Sequence, residues 1–354
     1  MARLIDSNYH EQVKIKNIEK LRKMQANLPA FCTIFFRGIS EKVGSRTCIA
    51  YAYDLQVFFN YILNYVLQKP DIEIRDIQLA DLDKISKIDI ENYMDYLSLY
   101  TSEDGLIHTN DERGKSRKLS ALKGLYNYFY ESELIKNNPA SIVHAPKLHD
   151  KTIIRLDPNE VATLLDIVED GSNQESQHQK NYHNKTRVRD LALMTLLLGT
   201  GIRVSECVGL NIKDIDFDNG AIRVVRKGGN EATVYFGDEV EDALREYLEI
   251  RKNHIALSGH EDALFLSIQD KRISVRAVEN LVKKYASQVT SLKKITPHKL
   301  RSTYGTNLYK ESGDIYLVAS VLGHKDVNTT RKHYADMDED KKRAARNMVK
   351  MRKD

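Results

Sequence analysis

The sequence is poor in cysteine and proline and has no long apolar run, and each shortage excludes a class of protein. Three cysteines, Cys32, Cys48 and Cys207, are scattered over 354 residues, which leaves neither a disulfide framework nor a CxxC metal pair. They read as reduced core thiols. Six prolines and 17 glycines, with 42% hydrophobic and 29% charged residues, exclude fibrous and disordered chains. The longest apolar run, residues 191–198, is broken by Thr195 and stops at Gly199, whereas a membrane span needs about 20 residues. Residues 1–10 lack the apolar stretch of a signal peptide, which predicts a cytoplasmic protein without membrane association. None of the 11 histidines falls in an HExxH or Cys/His zinc spacing, and there is no GxSxG elbow or P-loop. The Gly199-Thr200-Gly201 turn has Val204 where a dinucleotide fingerprint needs a third glycine, and no strand precedes it. No metal or cofactor is therefore expected.

What is present is segregated charge. Lysine and arginine total 54 against 50 acidic residues, a net charge of +4, too small by itself to point to nucleic acid. Residues 71–95 hold eight acidic and three basic side chains, whereas residues 113–123 hold five basic and none acidic. Residues 271–301 hold nine basic side chains against Glu279 alone, and residues 341–354 hold seven against Asp354 alone. Such stretches can line a groove and neutralise phosphates.

Length suggests two domains. Residues 46–67 repeat apolar side chains at helical spacing (Leu55, Phe58, Phe59, Ile62, Leu63, Val66), residues 88–100 read as a second helix, and residues 116–134 as a third. In the third, Leu119, Leu122, Leu125, Tyr126 and Phe129 face inward and Arg117, Lys118 and Lys123 outward. No strand pattern precedes residue 150, so the first half reads as wholly helical. Asn137-Asn138-Pro139 stops the last helix, and a polar linker spans residues 147–156. Asp157-Pro158-Asn159-Glu160 has the form of a capped helix start. Residues 171–185 read as a loop and residues 189–198 as an apolar helix. Residues 212–217, 221–226 and 232–236 then alternate, separated by Asp218-Asn219-Gly220 and Lys227-Gly228-Gly229-Asn230, which predicts a small three-stranded antiparallel sheet. Helical patterning returns from residue 238. The predicted fold is mainly α, with an α+β second domain.

Several cationic and proton-carrying residues sit in glycine-punctuated contexts. Arg203 and Glu206 lie three apart at a helix start, and so do His298 and Arg301. Lys227 is on a hairpin tip. Leu322-Gly323-His324 is followed ten residues later by Tyr334. In this order (Arg, Lys, His-x-x-Arg, His, Tyr) the residues resemble the tyrosine recombinase family, the phage integrase and Xer group. The resemblance covers residues 159–335 as catalytic domain and roughly 28–140 as a helical, SAM-like core-DNA-binding domain, most closely in SRKLSALKGLYNYFYESELIKNNPA, residues 116–140.

It implies a catalytic set of Arg203, Lys227, His298, Arg301, His324 and the nucleophile Tyr334, supported by Glu206. Arg117, Lys118 and Lys123 are the expected DNA contacts. The implied organisation is an extension over 1–24, a DNA-binding domain over 25–146, the linker, a catalytic domain over 157–335 closing a C-shaped clamp on duplex DNA, and an intersubunit tail over 336–354. Four protomers, or paired paralogues, would exchange strands at double-stranded DNA target sites near the nucleoid through a 3′-phosphotyrosyl ester and a Holliday junction. That chemistry needs no metal or ATP. Integration or excision of a mobile element and resolution of chromosome dimers stand as alternative outcomes. Tyr304, one helical turn after Arg301, lies too early in the motif to be the nucleophile, and His333 faces about 100° away from Tyr334. Two rivals are a type IB topoisomerase, disfavoured by the helical domain and the Leu-Gly-His motif, and a DNA-binding regulator without catalysis, disfavoured by the intact set.

Overall fold

The computed structural model describes residues 9–69, 72–102, 104–149, 153–171, 176–226, 229–324 and 326–327. The chain divides into two compact units, Met1–Lys151 and Thr152–Asp354. Among the described residues no helix is long and apolar enough to cross a membrane.

The first unit contains α1 (Tyr9–Gln25), α2 (Phe31–Ile39), α3 (Ser45–Tyr65), α4 (Lys87–Tyr96) and α5 (Glu112–Glu131), with β1 (Tyr100–Thr101) and β2 (Ile107–His108) between α4 and α5. The apolar stripe of α5 behaves as its spacing predicts: Leu119, Leu122, Leu125, Tyr126 and Phe129 are all buried, in one core with Phe35, Phe36, Phe58 and Phe59. Phe31 meets Phe59 edge-on at 5.8 Å and Phe129 at 5.5 Å; such pairs contribute about 0.5–1.5 kcal/mol each beyond burial. Helix α1 lies within the stretch expected as an extension, yet Leu21 and Met24 pack on this core and Asn17 donates to Ser45 Oγ at 3.2 Å.

The wholly helical expectation needs one correction. Strands β1 and β2 pair antiparallel, Tyr100 with His108 and Thr101 with Ile107. Two-residue strands are too short to show alternation; the Ser102 N–H donates to the Leu106 carbonyl at 2.9 Å, and the Asn110 side chain donates to the Leu97 carbonyl at 2.9 Å.

The second unit contains α6 (Pro158–Asp170), α7 (Gln177–Thr200), α8 (Val204–Gly209), β3 (Ile215–Asp216), β4 (Ala221–Val225), β5 (Glu231–Tyr235), α9 (Asp238–Lys252), α10 (Val275–Val289), α11 (Pro297–Ser312) and α12 (Ile315–Leu322). The cap of α6 forms as predicted, with the Asp157 N–H donating to Glu160 Oε2 at 2.8 Å. Residues 177–185, expected in a loop, are instead the first turns of α7. Ser176 caps that helix by accepting from the Gln179 N–H at 3.2 Å, and buried His183 anchors it beside Gly171 and Tyr285. Ala192, Leu193, Met194, Leu196 and Leu197 are buried on all sides of its second half, which explains why that stretch reads as a continuous apolar run.

The sheet order is β3-β4-β5, antiparallel throughout. Ile222 and Val224 point into the core while Arg223 faces out. Residues 212–214, expected as strand, form a single 3-10 turn. All three cysteines are buried and free, and burial, aided by the neighbouring Glu206 charge, pushes the Cys207 thiol up to about 12.

Candidate active site

The end of α7 sets the first part of the site. Gly201 terminates the helix with φ +62°, and a Cβ there would lie 2.4 Å from Tyr304 Cδ1 and 3.0 Å from Leu322 Cδ2. Only glycine meets both demands, the left-handed backbone and the close approach. Two residues on, Arg203 caps α8. Its N–H donates to Glu206 Oε2 and its Nη1 to Glu206 Oε1, both at 2.8 Å. Glu206 is buried, whereas the Arg203 side chain is 36% exposed. A carboxylate at the third position of a helix is favoured by the N-terminal dipole, so the same group starts α8 and holds one edge of the guanidinium, leaving it within reach of a ligand.

Helix α11 supplies the second part. Pro297 occupies its first position, His298 is exposed in the first turn, and Arg301 is buried one turn later. Arg301 Nη1 donates to the Gly201 carbonyl at 2.7 Å, and Nη2 donates to the Leu322 carbonyl. One planar guanidinium thereby joins the turn that precedes Arg203 to the turn that precedes His324. The latter turn is again left-handed at glycine, Gly323 with φ +62°, and the His324 N–H closes it on the Ala319 carbonyl at 2.9 Å. Arg203, Arg301 and His324 are thus linked through backbone, while Glu206 fixes Arg203. Tyr304 packs beside Gly201 with Tyr309, Val318 and Leu322, and burial raises its hydroxyl above the ordinary tyrosine range. It is a packing residue. Lys227 and Tyr334 lie outside the described residues. The hairpin that carries Lys227 is closed on either side of it by the Arg226 N–H donating to the Asn230 carbonyl at 2.8 Å and the Gly229 N–H donating to the Arg226 carbonyl at 3.0 Å.

The basic residues of α5 do not form one outer face. Arg117 is exposed, and Lys123 is partly exposed with Nζ 3.4 Å from the Ser141 carbonyl. Lys118 is a correction: it is buried, 3.5 Å from Asp54 Oδ1, and donates to Asn110 Oδ1 at 3.0 Å. Burial pulls its ammonium below the ordinary lysine value against the opposing charge of Asp54. The basic stretch 271–301 is also partly committed to the fold: Arg272 caps the end of α8 by donating to the Val208 and Leu210 carbonyls at 3.0 and 2.7 Å, and Lys293 bonds Asp157 and Glu160 at 3.1 and 2.6 Å.

Residues 155–341 match the model of the phage integrase family. The chain belongs to this family, the tyrosine recombinases. It is 34% identical over 313 residues to the tyrosine recombinase XerC of Caldanaerobacter subterraneus subsp. tengcongensis, covering 85% of this chain and 81% of that protein. It is 28% identical to the tyrosine recombinase XerS of Streptococcus thermophilus, over 94% of this chain and 98% of that one. Among solved structures, the Tn1549 transposon integrase in complex with circular intermediate DNA superposes with a TM-score of 0.63 at 20% identity, covering 90% of this chain and 99% of that one. XerH bound to palindromic difH superposes with a TM-score of 0.62 at 20% identity, covering 86% and 80%. This recombinase is accordingly an enzyme of site-specific DNA recombination, and its fold is mainly helical as expected, with the expected small antiparallel sheet in the second unit and an additional two-stranded one in the first.

Two features of the recombinase site escape sequence reading. Arg226, read as the last residue of a strand, turns its guanidinium toward Val321 and Gly323. Arg301 bonds two carbonyls far apart in sequence, one from each terminal nitrogen, a pattern with no local signature.

Proposed function

We propose that this recombinase cleaves double-stranded DNA at a specific target by direct attack of Tyr334 on the scissile phosphate. The phenolic proton passes to His298, the tyrosine oxygen forms the new P–O bond, and the bond from phosphorus to the 5′ oxygen breaks. The leaving oxygen takes a proton from Lys227 and departs as a 5′ hydroxyl, so the strand is retained as a 3′-phosphotyrosyl ester. Attack by a 5′ hydroxyl from the partner duplex reverses each transfer and restores both side chains. Bond energy is conserved, so no ATP is consumed. Arg203 and Arg301 stabilise the charge that builds on the non-bridging oxygens, a role suited to planar guanidinium donors, and His324 hydrogen-bonds the same phosphate. Arg117 and Lys123 contact the DNA backbone. Lys118, enclosed against Asp54, acts by holding α5 in place rather than by touching phosphate.

The assembly is a tetramer, of this chain alone or with a paralogue, acting on two duplexes through a Holliday junction in the cytoplasm at the nucleoid. The domains are those of the family: DNA binding up to residue 146, a linker over 147–156, catalysis over 157–335, and a tail over 336–354 that docks on a neighbouring subunit.

The observation that carries this reading is the Arg301 guanidinium joining the turns of Arg203 and His324. The test is covalent selection: random-sequence duplexes nicked near the centre are incubated without divalent metal, and DNA that stays on the protein through SDS is sequenced. One enriched motif, lost in Tyr334→Phe, is expected. Trapping without enrichment would point to topoisomerase-like relaxation, and binding without trapping to a DNA-binding protein without catalysis.

A further inference from the structure

Arg226, whose backbone pairs within the hairpin, turns its side chain away from it toward the end of α12. It follows β4 and immediately precedes Lys227 in the chain. Its Nη2 donates to the Val321 carbonyl at 3.0 Å, across 95 residues of sequence. The guanidinium lies against Gly323, where a Cβ would come within 1.9 Å of Nη1 and 2.4 Å of Cζ. Its Nε is buried and has no hydrogen-bond partner. An unpaired buried donor is unfavourable and calls for an explanation.

The final carbonyls of α12 explain the placement. A helix ends with carbonyls that lack partners within the helix. In α12 two successive ones are taken by arginines from different elements, Val321 by Arg226 and Leu322 by Arg301. The turn at Gly323 leads directly into His324. Arg301 ties that turn to the Arg203 loop, and Arg226 ties it to the β4–β5 hairpin.

We propose that Arg226 is a positioning residue that fixes the hairpin of Lys227 to the Gly323-His324 turn, so that the general acid is delivered to the leaving oxygen of the phosphate held by the other site residues. This rests on the reading of Lys227 as the proton donor. Arg226 touches no reacting atom; it acts through the residue next to it. Glycine at 323 is part of the device, because any side chain there would displace the guanidinium.

The test uses the full-length protein and a nicked duplex carrying the site recovered by covalent selection, made with either oxygen or sulfur at the bridging 5′ position of the scissile phosphate. A thiolate leaves without being protonated, so sulfur removes the need for an acid. Single-turnover rates at saturating protein are compared for the parent, Lys227→Ala, Arg226→Ala, Arg226→Lys and Gly323→Ala. General acids contribute about 10²–10⁴-fold, so Arg226→Ala is expected to lose about 100-fold on the oxygen substrate and to return to within about tenfold of the parent on sulfur, as Lys227→Ala does. Gly323→Ala should follow it, and Arg226→Lys, which keeps charge without the planar fork, should fall between. Thermal melting and DNA affinity accompany each variant; should Arg226→Ala not fold, Arg226→Lys gives the same oxygen-to-sulfur comparison. Full oxygen-substrate activity in Arg226→Ala, or a loss that sulfur does not restore while it restores Lys227→Ala, would overturn the proposal. Failure of sulfur to restore Lys227→Ala itself would instead overturn the acid assignment on which it rests.

Discussion

Replacing Asp54 by alanine leaves the enclosed Lys118 without its counter-charge. Asp54 Oδ2 accepts from Arg117 Nη1 at 2.5 Å, and Lys118 Nζ lies 3.5 Å from Oδ1; the side chains are 1% exposed for Asp54, 8% for Lys118 and 48% for Arg117. Solvent screening limits the Arg117 pair to about 1 kcal/mol or less. Removing the partner of an enclosed lysine costs far more, about 3–5 kcal/mol. The Asn110 oxygen at 3.0 Å still accepts one ammonium proton but brings no compensating charge. With a urea slope of about 2 kcal/mol/M, the midpoint of the first unit should fall by about 2 M, followed by circular dichroism. In Asp54→Leu with Lys118→Met both charges go, and apolar replacement of a buried pair is often nearly neutral, so this variant should unfold within about 1 kcal/mol of the parent. Its salt dependence of DNA binding should match the parent, because each phosphate contact contributes about 0.9 to the slope of log K against log salt and the proposed role of the buried Lys118 includes none. A cost below about 1 kcal/mol for Asp54→Ala, or a shallower salt slope in the double variant, would refute the reasoning.

Glu206→Gln keeps the shape of the residue but removes the charge that holds Arg203 at 2.8 Å; charge-assisted hydrogen bonds contribute about 1.5–3 kcal/mol, so single-turnover cleavage should slow about 10–100-fold with DNA affinity unchanged. Gly201→Ala should destabilise by about 2–5 kcal/mol, combining the left-handed backbone with overpacking against Tyr304, and should slow cleavage. Gly124→Ala, in mid-helix with only ordinary contacts at 3.8 Å to Phe35 and Tyr51, should have the opposite sign and stabilise by about 0.5–1 kcal/mol. The chain has no tryptophan, so absorbance near 295 nm follows its tyrosines alone. Burial raises Tyr93, Tyr126 and Tyr285 above their ordinary value of 10.0. The folded state therefore favours the protonated phenols: their contribution to stability is full below pH ~10 and declines above it, and they should ionise together with unfolding, in a step separate from the exposed tyrosines.

The parts of the fold that came through in the sequence are those governed by local periodicity and capping. The inner face of α5 and the Asp157-Glu160 start of α6 depend on residues within one or two turns. Spacing along α5 places Lys118 outward because its partner, Asp54, lies on another helix and leaves no trace in that spacing. The start of α7 was hidden by a polar Gln, His and Asn composition, although Ser176 and Gln179 stand at capping-box spacing. At the candidate site, glycine-marked turns in the sequence point to the places where Arg203 and His324 stand, whereas Lys227 and Tyr334 lie outside the described residues. The bonds from Arg226 and Arg301 to the end of α12 were not legible, since a backbone carbonyl looks the same in every sequence.

The most direct test of Tyr334 as nucleophile is to map the covalent bond itself. The complex trapped on a nicked duplex is digested with nuclease and trypsin, and the nucleotide adduct is located by mass spectrometry. It should sit on Tyr334 in the tryptic peptide of residues 333–341, with no adduct in Tyr334→Phe. An adduct on Tyr304 or any other residue, or an SDS-stable complex that persists in Tyr334→Phe, would contradict the assignment.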